Sequence, residues 1–174
     1  VPFIRPAELA QDASQVIDSI IYTLNKLKEN DGYDPTYVLI LQTTSPLREV
    51  EDIDKCWDLM QHSNATTVLT VSSTHPRLYH LTEDNDIVLV NGTEDDSTNI
   101  QDWKPGYILN GCFVYIIETK ALLKEMRVIT EKTKAVVCDK WRSVDLDTPE
   151  EWVLAELLYQ NKKVLTNRIK NLCH

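Results

Sequence analysis

Asp145 and Asp147, in Val144-Asp145-Leu146-Asp147-Thr148, carry the most pointed chemistry in the sequence. Residues two apart on a strand share a face, so both carboxylates are expected to project together while Val144 and Leu146 turn to the core. Two carboxylates held side by side repel, a cost that a cation between them removes. Hard oxygen donors in that number suit Mg2+, which keeps waters and completes its shell with substrate phosphate oxygens. A metal so placed neutralises charge on a phosphoryl group under attack. An acidic strand end, with Asp147 part of the next helix's cap, gives the same spacing, and the pair alone leaves both readings open.

Two further clusters have chemical content. Gln42-Thr43-Thr44-Ser45-Pro46-Leu47-Arg48 follows an apolar run and precedes a helical pattern. In open α/β sheets, ligands bind where strand ends and helix N-termini converge. Gln42 offers a donor and an acceptor, Ser45 a hydroxyl and Arg48 a forked cation. A tight proline turn, with Arg48 paired to Glu51 or Asp52, is the competing reading. The third cluster runs from Phe3 to Asp12. Arg5 precedes a proline and is therefore extended. It sets a cation near the start of a helix that Asp12 or Ser14 is placed to cap.

These clusters need elements to hold them. Ile17, Ile20, Ile21, Leu24 and Leu27 recur at helical steps, predicting a helix over Ser14–Glu29 that Gly32 terminates. Tyr37–Leu41 and Thr67–Val71 read as strands buried on both faces. The helix between them carries Val50, Ile53, Trp57 and Met60 on one stripe. Strand, helix, strand over 37–71 implies a βαβ unit with parallel pairing. Leu78–Leu81 and Ile87–Val90 flank a polar turn and predict a hairpin. Asn91–Pro105 is polar and acidic and reads as an excursion from the main sheet. Cys112–Ile117, Ala135–Cys138 and Ser143–Leu146 complete the expected strands, with a short helix over Thr119–Met126. Thr148, Pro149 and Glu151 form a capping box that opens a last helix, with Trp152, Ala155, Leu158 and Tyr159 as its buried stripe. The alternation of elements indicates an α/β layered fold with a mostly parallel sheet.

Composition narrows the function. The chain has 174 residues, 43% apolar and 26% charged, the balance of one globular domain over 1–174. Its longest apolar run is six residues, Cys112–Ile117, against the ~20 that a membrane span requires, so no membrane is expected as a partner. A net charge of −9 repels phosphate backbones and argues against nucleic acid as a partner. Four cysteines without a CxxC pair suggest reduced thiols and a cytoplasmic location. The histidines have no metal-ligand spacing.

Taken together, Arg5-Pro6-Ala7-Glu8-Leu9-Ala10-Gln11-Asp12, Leu41-Gln42 through Arg48, Asn110-Gly111 and Val144-Asp145-Leu146-Asp147-Thr148-Pro149-Glu150-Glu151-Trp152 resemble, in order and spacing, the acylneuraminate cytidylyltransferase family (CMP-sialic acid synthetases). The resemblance covers nearly the whole chain. It implies a Rossmann-like, three-layer sandwich of the nucleotide-diphospho-sugar transferase type with a mixed, mostly parallel sheet. It also implies Mg2+-assisted attack of the anomeric hydroxyl of a nonulosonic-type sugar acid on the α-phosphate of CTP, releasing pyrophosphate. By position, Asp145 and Asp147 match the metal-binding, catalytic aspartates. Gln42, Ser45, Arg48 and Asn110 fall on the substrate side, and Arg5 and Ser14 near the nucleotide base. Residues from about 74 to 105 match the family's dimerisation excursion, so a homodimer is expected. The family's arginine- and lysine-bearing phosphate loop has no counterpart in these residues. The chain is therefore expected to be N-terminally truncated relative to the family, and unable to turn over CTP alone. Positions where sialic acid synthetases clamp the sugar carboxylate with basic side chains hold Leu78, Ile100 and Ile108, so the sugar is expected to differ or the pocket to be degenerate. A non-catalytic binding or dimerisation module on the same scaffold, and a glycosyltransferase using the aspartate pair for a nucleotide-sugar metal, are the alternatives.

Overall fold

Helix α1 (Val16–Asp31) shows the expected apolar stripe and stops where Gly32 takes the left-handed conformation, φ +64°, that a side chain would disfavour. The remaining elements are β1 (Tyr37–Ile40), α2 (Val50–Gln61), β2 (Thr67–Thr74), β3 (Tyr79–Leu81), β4 (Ile87–Leu89), β5 (Gly106–Leu109), β6 (Tyr115–Glu118), α3 (Thr119–Glu125), β7 (Thr133–Cys138), α4 (Pro149–Gln160) and α5 (Lys162–Leu172). The computed structural model describes residues 3–11, 14–90, 104–111 and 113–172. Asn91–Trp103, most of the expected excursion and including Ile100, lies outside the described residues, as do Asp12 and Cys112.

The fold is α/β with a mixed sheet and helices on both faces. Alternation along the strands explains the layers. Val68 of β2 and Ile116 of β6 turn to one side, where they pack with Cys56 and Met60 of α2. Leu69 and Val71, with Tyr115 and Ile117, turn to the other, where Leu24 of α1 and Leu122 of α3 cover them. Strand β2 is the sheet's axis: its residues Thr67–Ser72 are parallel partners of β7. Its opposite edge holds two strands end to end and antiparallel, β6 against Thr67–Leu69 and β5 against Val71–Thr74. Between them, the described residues Asn110, Gly111, Phe113 and Val114 interrupt this column at Thr70, which bonds to Asn110 and Val114.

Several expectations need correction. β1 and β2 are not neighbours, because β6 lies between them and is antiparallel to both. The crossover through α2 is long enough to pass over an intervening strand, which periodicity does not reveal. β1 is consequently not buried on both faces, and Leu39 is 47% exposed. Ser143–Leu146 is not a strand. A 3-10 turn, Lys140–Arg142, lifts the chain off the sheet after β7, and in place of a ladder Leu146 N–H bonds to the Thr44 carbonyl (2.9 Å). In α2 the buried positions are Asp52, Cys56 and Met60, while Val50 and Trp57 are exposed and Trp57 rests edge-on against Tyr37. In α4 the capping box forms as expected, Thr148 Oγ1 accepting from Glu151 N–H. Of its expected stripe only Ala155 is buried, and Trp152 is 62% exposed. Ser14 does not cap α1: its hydroxyl accepts from Gln11 N–H and donates to the Glu8 carbonyl.

The hairpin β3–β4 forms as expected, Tyr79 opposite Leu89 and Leu81 opposite Ile87. Its turn is set by Asn85 at φ +66°, a conformation asparagine tolerates better than most residues.

Candidate functional site

Three segments meet at the edge of the sheet: the loop Gln42–Arg48 after β1, the bulge Asn110–Val114, and Ser143–Asp147. Each pair of them is joined directly. Arg48 closes the first loop on itself by donating to the Gln42 carbonyl (3.0 and 3.2 Å), and reaches the bulge through the Phe113 carbonyl (2.7 Å). Main-chain carbonyls thus engage its guanidinium on both segments. The acidic segment joins the first loop through the Leu146–Thr44 bond. It joins the bulge through Asn110 Nδ2, which donates to Ser143 Oγ (3.1 Å).

Asn110 is 3% exposed, and its side-chain Oδ1 accepts from Thr70 Oγ1 at 3.0 Å. Thr70 Oγ1 also accepts from Val114 N–H. One threonine in the central strand therefore satisfies both ends of the bulge, which is how an interrupted strand keeps its polar groups paired. Gly111 follows at φ +67° and faces Asp145 so closely that a Cβ there would lie 2.5 Å from the carboxylate. Asp145 and Asp147 line one cleft of about 370 Å³ together with Ser72, Ile108, Asn110, Gly111 and Glu151. The two aspartates stand on an irregular segment rather than on a strand, and Val144, expected to turn to the core, lines the same cleft. Gln42 lines an adjoining cleft of about 280 Å³, and Gly111 belongs to both.

Ser45 is 1% exposed, and its hydroxyl has no hydrogen-bond partner, nor does Asp145 Oδ1. Arg5 is exposed on the segment that Phe3 fixes to Tyr22 of α1, and neither it nor Ser14 lines the aspartate cleft. Of the carboxylate-clamp positions, Ile108 lines that cleft, whereas Leu78 precedes the hairpin.

The residue that sequence reasoning missed is Arg142. It is 5% exposed and forks onto Asp52 of α2, Nη1 to Oδ2 at 2.7 Å and Nη2 to Oδ1 at 2.8 Å. Burial pushes the Asp52 carboxyl up, but this fork and the Glu49 N–H bond outweigh it and hold the group below its ordinary value. The same pairing raises the Arg142 pKa against the opposing effect of burial. The available signal was Asp52, a carboxylate spaced with Cys56 and Met60 on a buried helical face.

The aspartate cleft fits Mg2+ by its chemistry. Among the described residues no group of three or more histidine, cysteine or acidic side chains forms a cation cage. Two carboxylates, one with an unpartnered buried oxygen, match an ion that takes one or two protein oxygens and leaves the rest to water and phosphate.

No family model matches the chain. Among curated proteins it is 29% identical over 162 residues to a CMP-N,N'-diacetyllegionaminic acid synthase of Legionella pneumophila, covering 92% of this chain and 69% of that protein. It is 26% identical over 151 residues to an N-acylneuraminate cytidylyltransferase of Streptococcus agalactiae, covering 86% of this chain. The chain spans about a third (35%) of that streptococcal protein's length. Among solved structures, a 4-diphosphocytidyl-2C-methyl-D-erythritol synthase from Anaerococcus prevotii matches at TM-score 0.53 and 12% identity, covering 85% of this chain and 68% of its own, which shows a common fold. The chain is therefore a homologue of the acylneuraminate cytidylyltransferases, related to them over most of its own length.

Proposed function

We propose that this chain is built for cytidylyl transfer from CTP to the anomeric hydroxyl of a 2-keto-3-deoxy sugar acid of the nonulosonic type, with release of pyrophosphate. The observation that carries this reading is the closed triangle of loop, bulge and acidic segment. It brings Asp145 and Asp147 into one cleft beside the cleft that Gln42 lines. The names of the curated relatives support the same chemistry.

Asp145 and Asp147 would hold Mg2+, which when bound supplies charge neutralisation for the phosphoryl group. The protein's own part is positioning. Gln42 presents an amide to the sugar hydroxyls. Gly111 leaves room for the Asp145 carboxylate and lets substrate approach the main chain. Arg48 closes the loop that sets the Gln42 backbone, and Ser45 and Arg48 are proposed to stand on the substrate side of it. Arg5 and Ser14 are proposed to meet the nucleotide base from the segment before α1.

The described lining of the aspartate cleft contains three carboxylates, with Glu151, and no lysine or arginine. A triphosphate and a sugar carboxylate both need balancing cations, so these residues alone are proposed to bind nucleotide without effective turnover. Hairpin β3–β4 exposes Leu81 and Ile87 and is too small to be stable as an isolated sheet. We assign it to a homodimer contact. Among the described residues no helix is long and apolar enough to cross a membrane, and a cytoplasmic setting belongs to this proposal.

Calorimetry with CTP in the presence and absence of Mg2+ tests the reading, alongside pyrophosphate release with a panel of sugar acids. Mg2+-dependent CTP binding that Asp145→Asn abolishes is the expected result. Binding that ignores both the metal and that substitution would leave only a non-catalytic scaffold.

A further inference from the structure

We infer that the buried Arg142–Asp52 pair is a positioning device for the acidic segment, setting where Asp145 and Asp147 stand relative to the loop Gln42–Arg48. The inference rests on the proposed role of those aspartates only where metal binding is concerned. Its basis is the set of groups that one guanidinium gathers. Nη1 and Nη2 grip Asp52, Nη1 also reaches the Leu47 carbonyl at 3.3 Å, and Nε reaches Asp139 Oδ2 at 3.3 Å. The guanidinium carbon lies 5.8 Å from the centre of the Phe113 ring, and Arg48 approaches the same ring at 6.0 Å. Helix α2, the first loop, the bulge and the start of the acidic segment therefore converge on Arg142, three residues before Asp145.

Asp52 is fixed from its own side. It is the N3 residue of the α2 capping box, where Oδ2 accepts from Glu49 N–H at 2.9 Å. Glu49 in turn pairs with Lys162 of α5 and lies 3.8 Å from Arg142 Nη1. The fork is thus anchored to a helix end that cannot rotate without losing its cap.

Stability does not explain such a pair, because buried ion pairs replaced by apolar residues of similar volume often leave stability unchanged or raise it. Geometry does: a planar fork with fixed donor directions defines the position of its own backbone in a way a lysine cannot. The backbone so defined continues into Ser143, which Asn110 also holds, and then into Asp145.

Two variants test this in the 174-residue chain. Arg142→Lys keeps the charge and loses the fork. Arg142→Met with Asp52→Leu removes the pair without leaving a buried charge, and guards against misfolding of the first variant. Two readouts are taken: amide hydrogen exchange at Leu146, whose N–H bonds to Thr44, and Mn2+ affinity by electron paramagnetic resonance, Mn2+ standing in for Mg2+. With far-UV circular dichroism unchanged, Leu146 exchange should accelerate at least about tenfold as the segment opens locally. Mn2+ affinity should fall by about 10–100-fold, as when groups that orient metal ligands are removed. Unchanged Leu146 protection in the folded double variant overturns the inference. If the unsubstituted chain binds no Mn2+, the metal proposal fails, and Leu146 exchange alone decides the positioning role.

Discussion

Replacing Gly111 by alanine probes the contact on which the aspartate cleft depends. At φ +67° an L-residue is strained, costing about 1–2 kcal/mol. The new Cβ would also sit 2.5 Å from Asp145 Oδ2 and 2.6 Å from its Cγ, so the carboxylate must retreat by roughly 0.9 Å to reach ordinary packing at 3.4 Å. Overpacking of this kind adds about 1–3 kcal/mol where the neighbour yields only in part. Gly32 supplies the control: its φ is +64°, and an added Cβ there meets nothing within 4 Å. Gly32→Ala should therefore lose about 1–2 kcal/mol from the backbone alone. Gly111→Ala should lose about 1 kcal/mol or more beyond it and bind Mn2+ about 10–100-fold more weakly. Urea unfolding and Mn2+ titration of the two variants read both effects. Equal stability losses combined with full Mn2+ affinity in Gly111→Ala would refute the reasoning, because Asp145 would then not depend on the space beside Gly111.

Three further outcomes are expected. Asp52 has a lowered pKa in the folded chain, so its stabilisation is complete above the unfolded carboxylate pKa of about 4 and is lost as pH falls toward the folded value. Urea midpoints should drop below pH 4 with a steeper slope than in Asp52→Asn, and equal slopes would contradict the pairing. Burial pushes the thiols of Cys56 and Cys138 up to about 12, so site-resolved alkylation at pH 8 should leave both unmodified until the chain is unfolded. Thr70→Val strips partners from Asn110 Oδ1 and Val114 N–H and should cost about 1–3 kcal/mol by thermal unfolding.

The sequence made some of this legible and hid the rest for physical reasons. Helix ends were readable because their chemistry is local: Gly32 stops α1, and Thr148 with Glu151 starts α4. The run Thr67–Val71 revealed the central strand because it lies under helices on both sides of the sheet. Strand order was not legible, since the placement of β6 between β1 and β2 depends on long-range pairing that no local pattern records. Spacing singled out the aspartate pair, but the contacts that hold its segment were not legible. Arg142 reaches Asp52 across 90 positions, and Asn110 reaches Thr70 across 40. The stripes assigned to α2 and α4 were wrong where an aromatic at helical spacing, Trp57 or Trp152, stands exposed and the burial falls on smaller neighbours.

The outpouching between β5 and β6 separates two tasks that most strands perform together. Because one strand grips the chain before and after it, the register on either side is already set when the chain enters residues 110–114. Insertions or exchanges in that stretch should be absorbed as changes of contour at the aspartate cleft, while the hydrogen-bonded framework keeps its register. The contour of the cleft and the scaffold are therefore free to diverge at different rates, with Thr70 a hinge pin common to both.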